Sequence, residues 1–439
     1  MDSEWKEYKF SEVIEINPQR NLKKGTIAPF IEMRAIEPNR RRPLKISRKM
    51  YSGGGAKFKN RDTLLARITP CLEHGKTVFI SDLKEGEVGF GSTEFIVLTG
   101  KEGITDPLFV YYLCKYNEVR DFAIKSMTGS SGRQRVQEEA FNHLTIKVPP
   151  ITEQRKIAEI LGSLDDKIEL NYEMNKTLEA IAQAIFKNWF VDFEPFKDKL
   201  VYNEELGKEI PKGWEITELS NIGKIITGKT PPTSDRENYG SEYLFIRIPD
   251  MHNKTFVTNT EVKLSKKGAN FLRNLLLPPL SICVSCIATV GLVALTQEYS
   301  FTNQQINSVI CNKDISPYYV YLYIKNMIAP RIADFGSGGS VTPILNKSEF
   351  SKLKIILPSL NILNQFHQKI ESIFSCILSN EREITILEQI RDALLPKLLS
   401  GEIRVKVDVE EEFPEEAKKL EEIEEEKVKL QGSLDKWLK

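Results

Sequence analysis

The sequence predicts an α+β fold: two α/β domains separated by two long antiparallel helices that form an intramolecular coiled coil, with a pseudo-twofold internal repeat. Three observations lead there. Two stretches share one apolar period, they lie 209 residues apart, and the segments preceding them share landmarks at nearly that offset.

The first helix is expected from Thr152 to about Phe190. Steps of four and three from Ile157 give Ile157, Leu161, Leu164, Ile168, Asn171, Asn175, Leu178, Ala182, Ile185 and Trp189. A 3.5-residue period is the seam of a coiled coil rather than the broader stripe of a globular helix. Pro149-Pro150 blocks the helix upstream, Thr152 can cap it, and Pro195 closes it. Such a rod is roughly 55 Å long. A lone seam needs a partner, and the same steps from Phe366 supply one: Phe366, Ile370, Ile373, Ile377, Asn380, Ile384, Leu387, Arg391, Leu394 and Leu398. Asn361 stands where Thr152 stood, and Pro358 where Pro149 did. Two ordinary amphipathic helices in separate cores are the alternative reading.

An antiparallel pair is expected in a register set by Asn175 facing Asn380, with Asn171 also in the seam. That register puts Ile157 by Leu398, Ile168 by Leu387, Ala182 by Ile373 and Trp189 by Phe366. Two layers are awkward: Asn171 by Ile384, and Leu164 by Arg391, whose stem can snorkel. Buried amides that satisfy one another penalise every other register.

In chain order, residues 1–150 form the first domain. Apolar runs at Thr63–Ile68, Thr77–Ile80, Phe95–Leu98 and Leu144–Val148 read as strands, and Leu108–Tyr116 and Asn117–Lys125 as helices. Gly129–Val136 is a loop. The first helix and a linker fill 151–209. Residues 210–358 repeat the plan: Trp214 matches Trp5, Val320-Tyr321 matches Val110-Tyr111, and Phe350 matches Phe141. Between these anchors the offset drifts from 209 to about 219 and back. Gly336–Val341 sits where Gly129–Val136 did. Such a period indicates duplicated domains, not a solenoid. The second helix occupies 359–405; Pro396 is expected to break or bend it near its base and Gly401 to end it. An acidic tail, 406–439, reads as a solvated helix.

A hydrophobic content of 41% and a charged content of 28% are those of a soluble globular protein. No run reaches the eighteen or so apolar residues of a membrane helix, and the N-terminus has no signal-like pattern. A cytoplasmic protein with reduced cysteines is expected. Cys283 and Cys286 form a lone C-x-x-C inside an apolar strand, without the second pair that zinc requires; no metal site is expected.

Net charge is zero, but its distribution is uneven. Residues 20–76 hold fifteen Lys and Arg against four acids, and 408–426 hold eleven acids against two lysines. Arg40, Arg41, Arg42, Arg48, Lys49, Lys57 and Arg67 suit phosphate contacts or guanine edges. A basic run of this kind can also be a solvated face. Arg133, Gln134 and Arg135 occupy the first Gly/Ser-rich loop. The second domain offers Lys229, Arg236, Arg247 and Lys254, with Gln304 and Gln305 inside an amide cluster that can pair with adenine or form a hydrogen-bonded turn. No catalytic constellation is present: there is no phosphate-binding G-x-x-x-x-G-K-[ST] loop and no amino-methyltransferase signature.

Several strings then resemble landmarks of one family, the specificity subunits of type I restriction-modification enzymes. They are Val148-Pro-Pro-Ile-Thr-Glu-Gln-Arg-Lys-Ile157, Ala184-Ile-Phe-Lys-Asn-Trp-Phe-Val-Asp-Phe193, Pro211-Lys-Gly-Trp214 and Leu394-Leu-Pro-Lys-Leu-Leu-Ser-Gly-Glu-Ile403. The resemblance covers residues 1–405; the second helix opens without the Glu-Gln-Arg of the first. It implies a non-catalytic chain with two target recognition domains, each reading half of a split, asymmetric double-stranded DNA site, and with helices as spacer and docking surface. It also implies two methyltransferase subunits and motor-nuclease subunits as partners. S-adenosylmethionine, ATP and Mg would belong to those partners, with no cofactor on this chain. A coiled-coil adaptor whose end domains bind proteins, or a self-contained DNA-modifying enzyme, are the rival classes.

Overall fold

A computed structural model describes residues 5–287, 289–332 and 345–405. It divides into two compact units, Met1–Glu169 with Leu387–Lys439, and Leu170–Ile386, so the division falls inside both long helices. These helices run Ile151–Phe190 and Leu360–Leu399, 40 residues each, and their bounds differ by the repeat offset of 209. Each starts one residue before the residue expected to cap it. Thr152 and Asn361 are therefore first-turn residues, and the carbonyls of Pro150 and Ser359 accept the first helical N–H groups, from Gln154 at 3.0 Å and Leu363 at 3.1 Å. Pro396 lies inside the second helix, which continues to Leu399; the chain turns only at Gly401, at φ +77°. The expected break at Pro396 is thus corrected. Only the last turn follows that proline, and Ser400 N–H still reaches the Pro396 carbonyl at 3.0 Å.

The first unit contributes β1 (Lys6–Lys9), β2 (Ile14–Ile16), β3 (Ile27–Ile31), β4 (Ser47–Met50), β5 (Lys57–Phe58), β6 (Thr63–Ala66), β7 (Thr77–Phe79), β8 (Gly89–Gly91), β9 (Phe95–Gly100) and β10 (Thr145–Val148). β1 pairs antiparallel with β10, one sheet has the order β2-β9-β6-β7, and another β4-β3-β8-β5. All four residues of β6 are buried, as a strand covered on both faces requires. Helix Pro107–Lys115 packs on this sheet and helix Asn117–Lys125 packs against that helix; Asp106 caps the first through N–H groups of Leu108 and Phe109. One core joins Phe10, Phe109, Tyr112 and Phe141 to Ile157 and Leu161 of the first long helix and Leu395, Leu398 and Leu399 of the second.

The second unit repeats this plan. Its strands are β11 (Leu200–Asn203), β12 (Lys208–Pro211), β13 (Glu215–Glu218), β14 (Gly223–Thr227), β15 (Tyr239–Ile246), β16 (Phe256–Val257), β17 (Lys263–Leu264), β18 (Ile282–Ser285), β19 (Val293–Thr296), β20 (Ser300–Thr302), β21 (Ile306–Cys311) and β22 (Lys354–Leu357). β13 pairs with β22 as β1 does with β10, and the order β14-β21-β18-β19 repeats β2-β9-β6-β7 with β16 added at the edge. Parallel pairing of β15 with β20 repeats that of β3 with β8. Ile282–Ser285 stands 219 positions after Thr63–Ala66, whereas the frame keeps 209. Cys283 and Cys286 are buried here, and burial pushes their thiols up to about 12 and about 11. Ala182, Phe186 and Phe190 share a core with Tyr319, Tyr323, Phe366, Ile370, Phe374 and Ile377.

Candidate nucleic-acid interface

In the first unit the basic stretch separates into an inward and an outward set. Arg40 Nε donates to Glu169 at 3.1 Å, Arg41 Nη1 donates to the Gly162 carbonyl at 3.1 Å, and Arg41 also pairs with Asp166. Their side chains are 12% and 6% exposed. Arg42 is more open, 3.5 Å from Asp82 and 3.7 Å from Asp166. Expected on a DNA face, Arg40 and Arg41 instead hold the domain to the first long helix. A guanidinium losing water on a packed surface needs a carboxylate, and Asp166 and Glu169 present one each on the helix.

Outward cations remain. Arg48 and Lys49 stand on β4, at the sheet edge, exposed but paired with Glu87 and Glu32, each at 2.9 Å. Lys57 donates to the Arg20 carbonyl at 3.1 Å. Arg67 Nε binds the Val136 carbonyl at 3.0 Å, Thr69 N–H binds the Gln134 carbonyl at 3.0 Å, and Arg135 grips Glu94 through Nε at 2.9 Å and Nη2 at 2.7 Å. The Arg135 hydrogen bonds hold the Glu94 carboxyl below its ordinary value. The structure thus brings Arg67, Gln134 and Arg135 together as the frame of a loop. Arg133 at its tip is exposed.

In the second unit Lys229 and Arg236 are exposed, Lys229 lying 5.3 Å from the centre of the Phe271 ring. Arg247 pairs with Glu261 at 2.5 Å, and Lys254 is half-buried beside Glu381. The amide cluster is largely a hydrogen-bonded turn. Asn303 Nδ2 donates to Gln305 Oε1 at 3.0 Å, and Asn307 is buried against the Leu345 carbonyl at 3.1 Å. Gln304 is exposed and accepts from the Thr230 hydroxyl at 2.7 Å. Gly336–Val341 and the acidic tail lie outside the described residues.

Within each unit the two long helices run antiparallel. In the second unit Asn380 Nδ2 donates to Asn175 Oδ1 at 2.8 Å, and Asn171 Nδ2 donates to Glu383 at 2.9 Å, leaving its buried Oδ1 without a partner among the described residues. In the first unit Arg391 does not snorkel. It is 3% exposed and bonded to Asp165, itself 1% exposed, at 2.7 Å. Tyr112 OH donates to the same carboxylate at 2.7 Å, and Arg391 Nη1 also reaches the Asn39 carbonyl at 3.1 Å.

Other organising residues were hidden in plain motifs. Glu153 accepts from Trp5 Nε1 at 3.2 Å and from Arg404 Nε at 2.8 Å, tying the start of the first helix to both flanking segments. Gln154 bridges Asp106 N–H at 2.9 Å to the carbonyls of Ile104 and Pro149 at 2.9 and 2.8 Å. This is the chemistry of the Thr-Glu-Gln string. Glu381 receives the N–H groups of Thr255 and Phe256 at 2.8 and 2.7 Å. Asp165, Asp166 and Glu169, spaced one and three apart on a helix, were the visible signal that cations would be drawn inward. Among the described residues no helix is long and apolar enough to cross a membrane.

Comparison with known proteins adds the family. The model described as "Type I restriction modification DNA specificity domain" matches residues 2–180 and 211–393. The type I restriction enzyme HindI specificity subunit of Haemophilus influenzae is 36% identical, the alignment covering 91% of this chain and 100% of that one. The MjaIX specificity subunit of Methanocaldococcus jannaschii is 31% identical, over 70% of this chain and 71% of its own. The solved structure of a type I restriction-modification S subunit from M. genitalium matches with a TM-score of 0.53 at 14% identity, over 91% of this chain and 96% of that one, a likeness of fold. With the repeated frame, the paired helices and these matches together, the chain belongs to the family of type I restriction-modification DNA specificity subunits.

Proposed function

We propose that this chain reads a split, asymmetric site in double-stranded DNA, one half with residues 1–150 and the other with residues 210–358. One observation carries the reading: the strand order is repeated while the outward side chains are not. Arg133 crowns a loop framed by Arg67 and Arg135 in the first unit; Lys229, Arg236 and Gln304 are the candidate side chains that stand exposed in the second. Like frames holding unlike side chains suit two readers with different preferences. The chain itself performs no chemistry in this reading. Two methyltransferase subunits bring S-adenosylmethionine, motor-nuclease subunits bring ATP and Mg, and the long helices serve as spacer and docking surface. The assembly acts in the cytoplasm.

Exchanging residues 1–150 for those of a relative with another target tests it. Mapping the methylated site of the reconstituted enzyme should show one altered half-site and one retained. Alteration of both halves together overturns the modular reading. Labelled S-adenosylmethionine incubated with the chain and DNA alone should leave the DNA unlabelled; incorporation would overturn the non-catalytic assignment.

A further inference from the structure

The first unit contains a cavity of about 280 Å³ between the Pro38-Asn39 turn, the His74-Gly75 turn, the junction of helices Pro107–Lys115 and Asn117–Lys125, and the last turns of the second long helix. Lys115, Arg120, Arg391 and His74 line it, against one lining carboxylate, Asp392. That carboxylate is engaged by Arg391 at 2.9 Å, as Asp165 is at 2.7 Å. Lys115 donates to the Pro38 carbonyl and has no carboxylate partner among the described residues. The Nε of Arg120 is buried without a hydrogen-bond partner there. Neither of these two cations of a half-buried wall is in an ion pair among the described residues; Asp165 and Asp392, both already engaged by Arg391, act on Lys115 only from beyond contact.

The second unit shows how the fold treats the same lysine when a carboxylate is supplied. Lys325, the repeat partner of Lys115, pairs with Glu179, which also accepts from Tyr321 OH at 3.1 Å. Burial alone would lower the Lys325 ammonium, but Tyr321 and Glu179 outweigh it and raise it. At Lys115 burial, then the charge of Arg391, lowers the ammonium to about 8. Unpaired cations in a shielded, concave wall favour an anion from outside the fold.

We infer that this cavity binds a phosphate group, with Lys115 and Arg120 as its ligands. Its anionic oxygens would give each cation the partner that Glu179 gives Lys325. The phosphate could be free or part of a nucleic-acid backbone, and the inference does not require that the chain read a DNA sequence.

Lysine acetylation of the full chain near pH 8, read by mass spectrometry at Lys115, tests it, because a bound anion restores the proton and slows acylation. Inorganic phosphate should protect Lys115, sodium chloride at equal ionic strength should not, and Arg120→Gln should raise the half-protecting phosphate concentration at least about tenfold. A duplex oligonucleotide protecting at micromolar concentration, where free phosphate needs millimolar, assigns the phosphate to nucleic acid; protection by free phosphate alone assigns it to a small molecule. Equal protection by chloride, or none by either phosphate source, overturns the site. If Lys115 acylates too slowly to follow, broadening of the phosphorus resonance of inorganic phosphate by the wild-type chain but not by Arg120→Gln supports it, and absence of broadening overturns it.

Discussion

Positions 165 and 374 are repeat partners, as are 182 and 391, yet the two units fill them with opposite chemistry. In the first unit the pair is Asp165 with Arg391, a buried ion pair completed by Tyr112 OH. In the second it is Phe374 and Ala182, fully buried in an aromatic core where Phe374 stacks on Tyr318 at 4.3 Å and meets Tyr321 edge-on at 5.7 Å. Tyr112 itself is replaced by Leu322. Either solution closes the same frame. A buried pair is no stronger than a well-packed apolar contact, but it tolerates the loss of one member far less, because the remaining charge is stranded. The repeat therefore conserves volume and pairing at the helix–domain junction, and leaves the chemistry free.

The largest effect expected from this contrast is at Arg391. Arg391→Ala should cost roughly 3–5 kcal/mol, seen as a large fall in the thermal midpoint of the full chain, because Asp165 is then charged and unpaired. Combining Arg391→Ala with Asp165→Phe and Tyr112→Leu, the solution of the second unit, should restore most of that loss. A triple variant no more stable than the single one would show that the two junctions are not interchangeable.

Glu381, at the repeat position of Tyr172, sharpens the contrast. Burial pushes its carboxyl up to about 8, against the N–H groups of Thr255 and Phe256, from an ordinary value of 4.5. The folded chain then holds a proton that the unfolded chain releases across that window, so this group makes stability fall as pH rises from about 4.5 to 8, by ~5 kcal/mol. Glu381→Gln should flatten denaturant-measured stability against pH over that range. An unchanged slope would mean that another group carries it.

Smaller is the effect at the amide pair. Replacing Asn380 alone by Leu should destabilise by roughly 1–3 kcal/mol, since Asn175 loses its donor. Replacing both by Leu should raise the thermal midpoint while disulfide trapping finds more than one helix register. Preserved single-register trapping in the double variant would relieve the asparagines of that role.

The smallest concerns DNA. Arg133→Ala and Arg236→Ala, outward in their units, should each reduce the log–log salt slope of binding by about one. Arg41→Ala should leave the slope unchanged and lower the thermal midpoint instead. A slope change at Arg41 equal to that at Arg133 would return the arginine triplet to the DNA face.

Much of this was legible in the residues. A heptad seam needs only local spacing, so the first helix could be bounded within a residue and the second at its start, whereas its end was misjudged at Pro396. Trp5 with Trp214 and Phe141 with Phe350 located the repeat, because buried aromatics hold their places while loops change length. The basic lobe could not be resolved in that way. Whether Arg40 meets a phosphate or Glu169 depends on a contact spanning 129 residues, and nothing local distinguishes the two. Arg391 presents the same case: its period put it in the seam, but Asp165 lies 226 residues away.

By itself, then, the sequence determined the two helices, their antiparallel partnership and the duplicated frame, because periodicity and turn chemistry act between neighbours in the chain. Only the tertiary structure decided which charges are turned inward, which carboxylate each one meets, and that Lys115 and Arg120 meet none among the described residues. Pairing of charges is set by distance in space, and a folded core brings together residues that the chain keeps far apart.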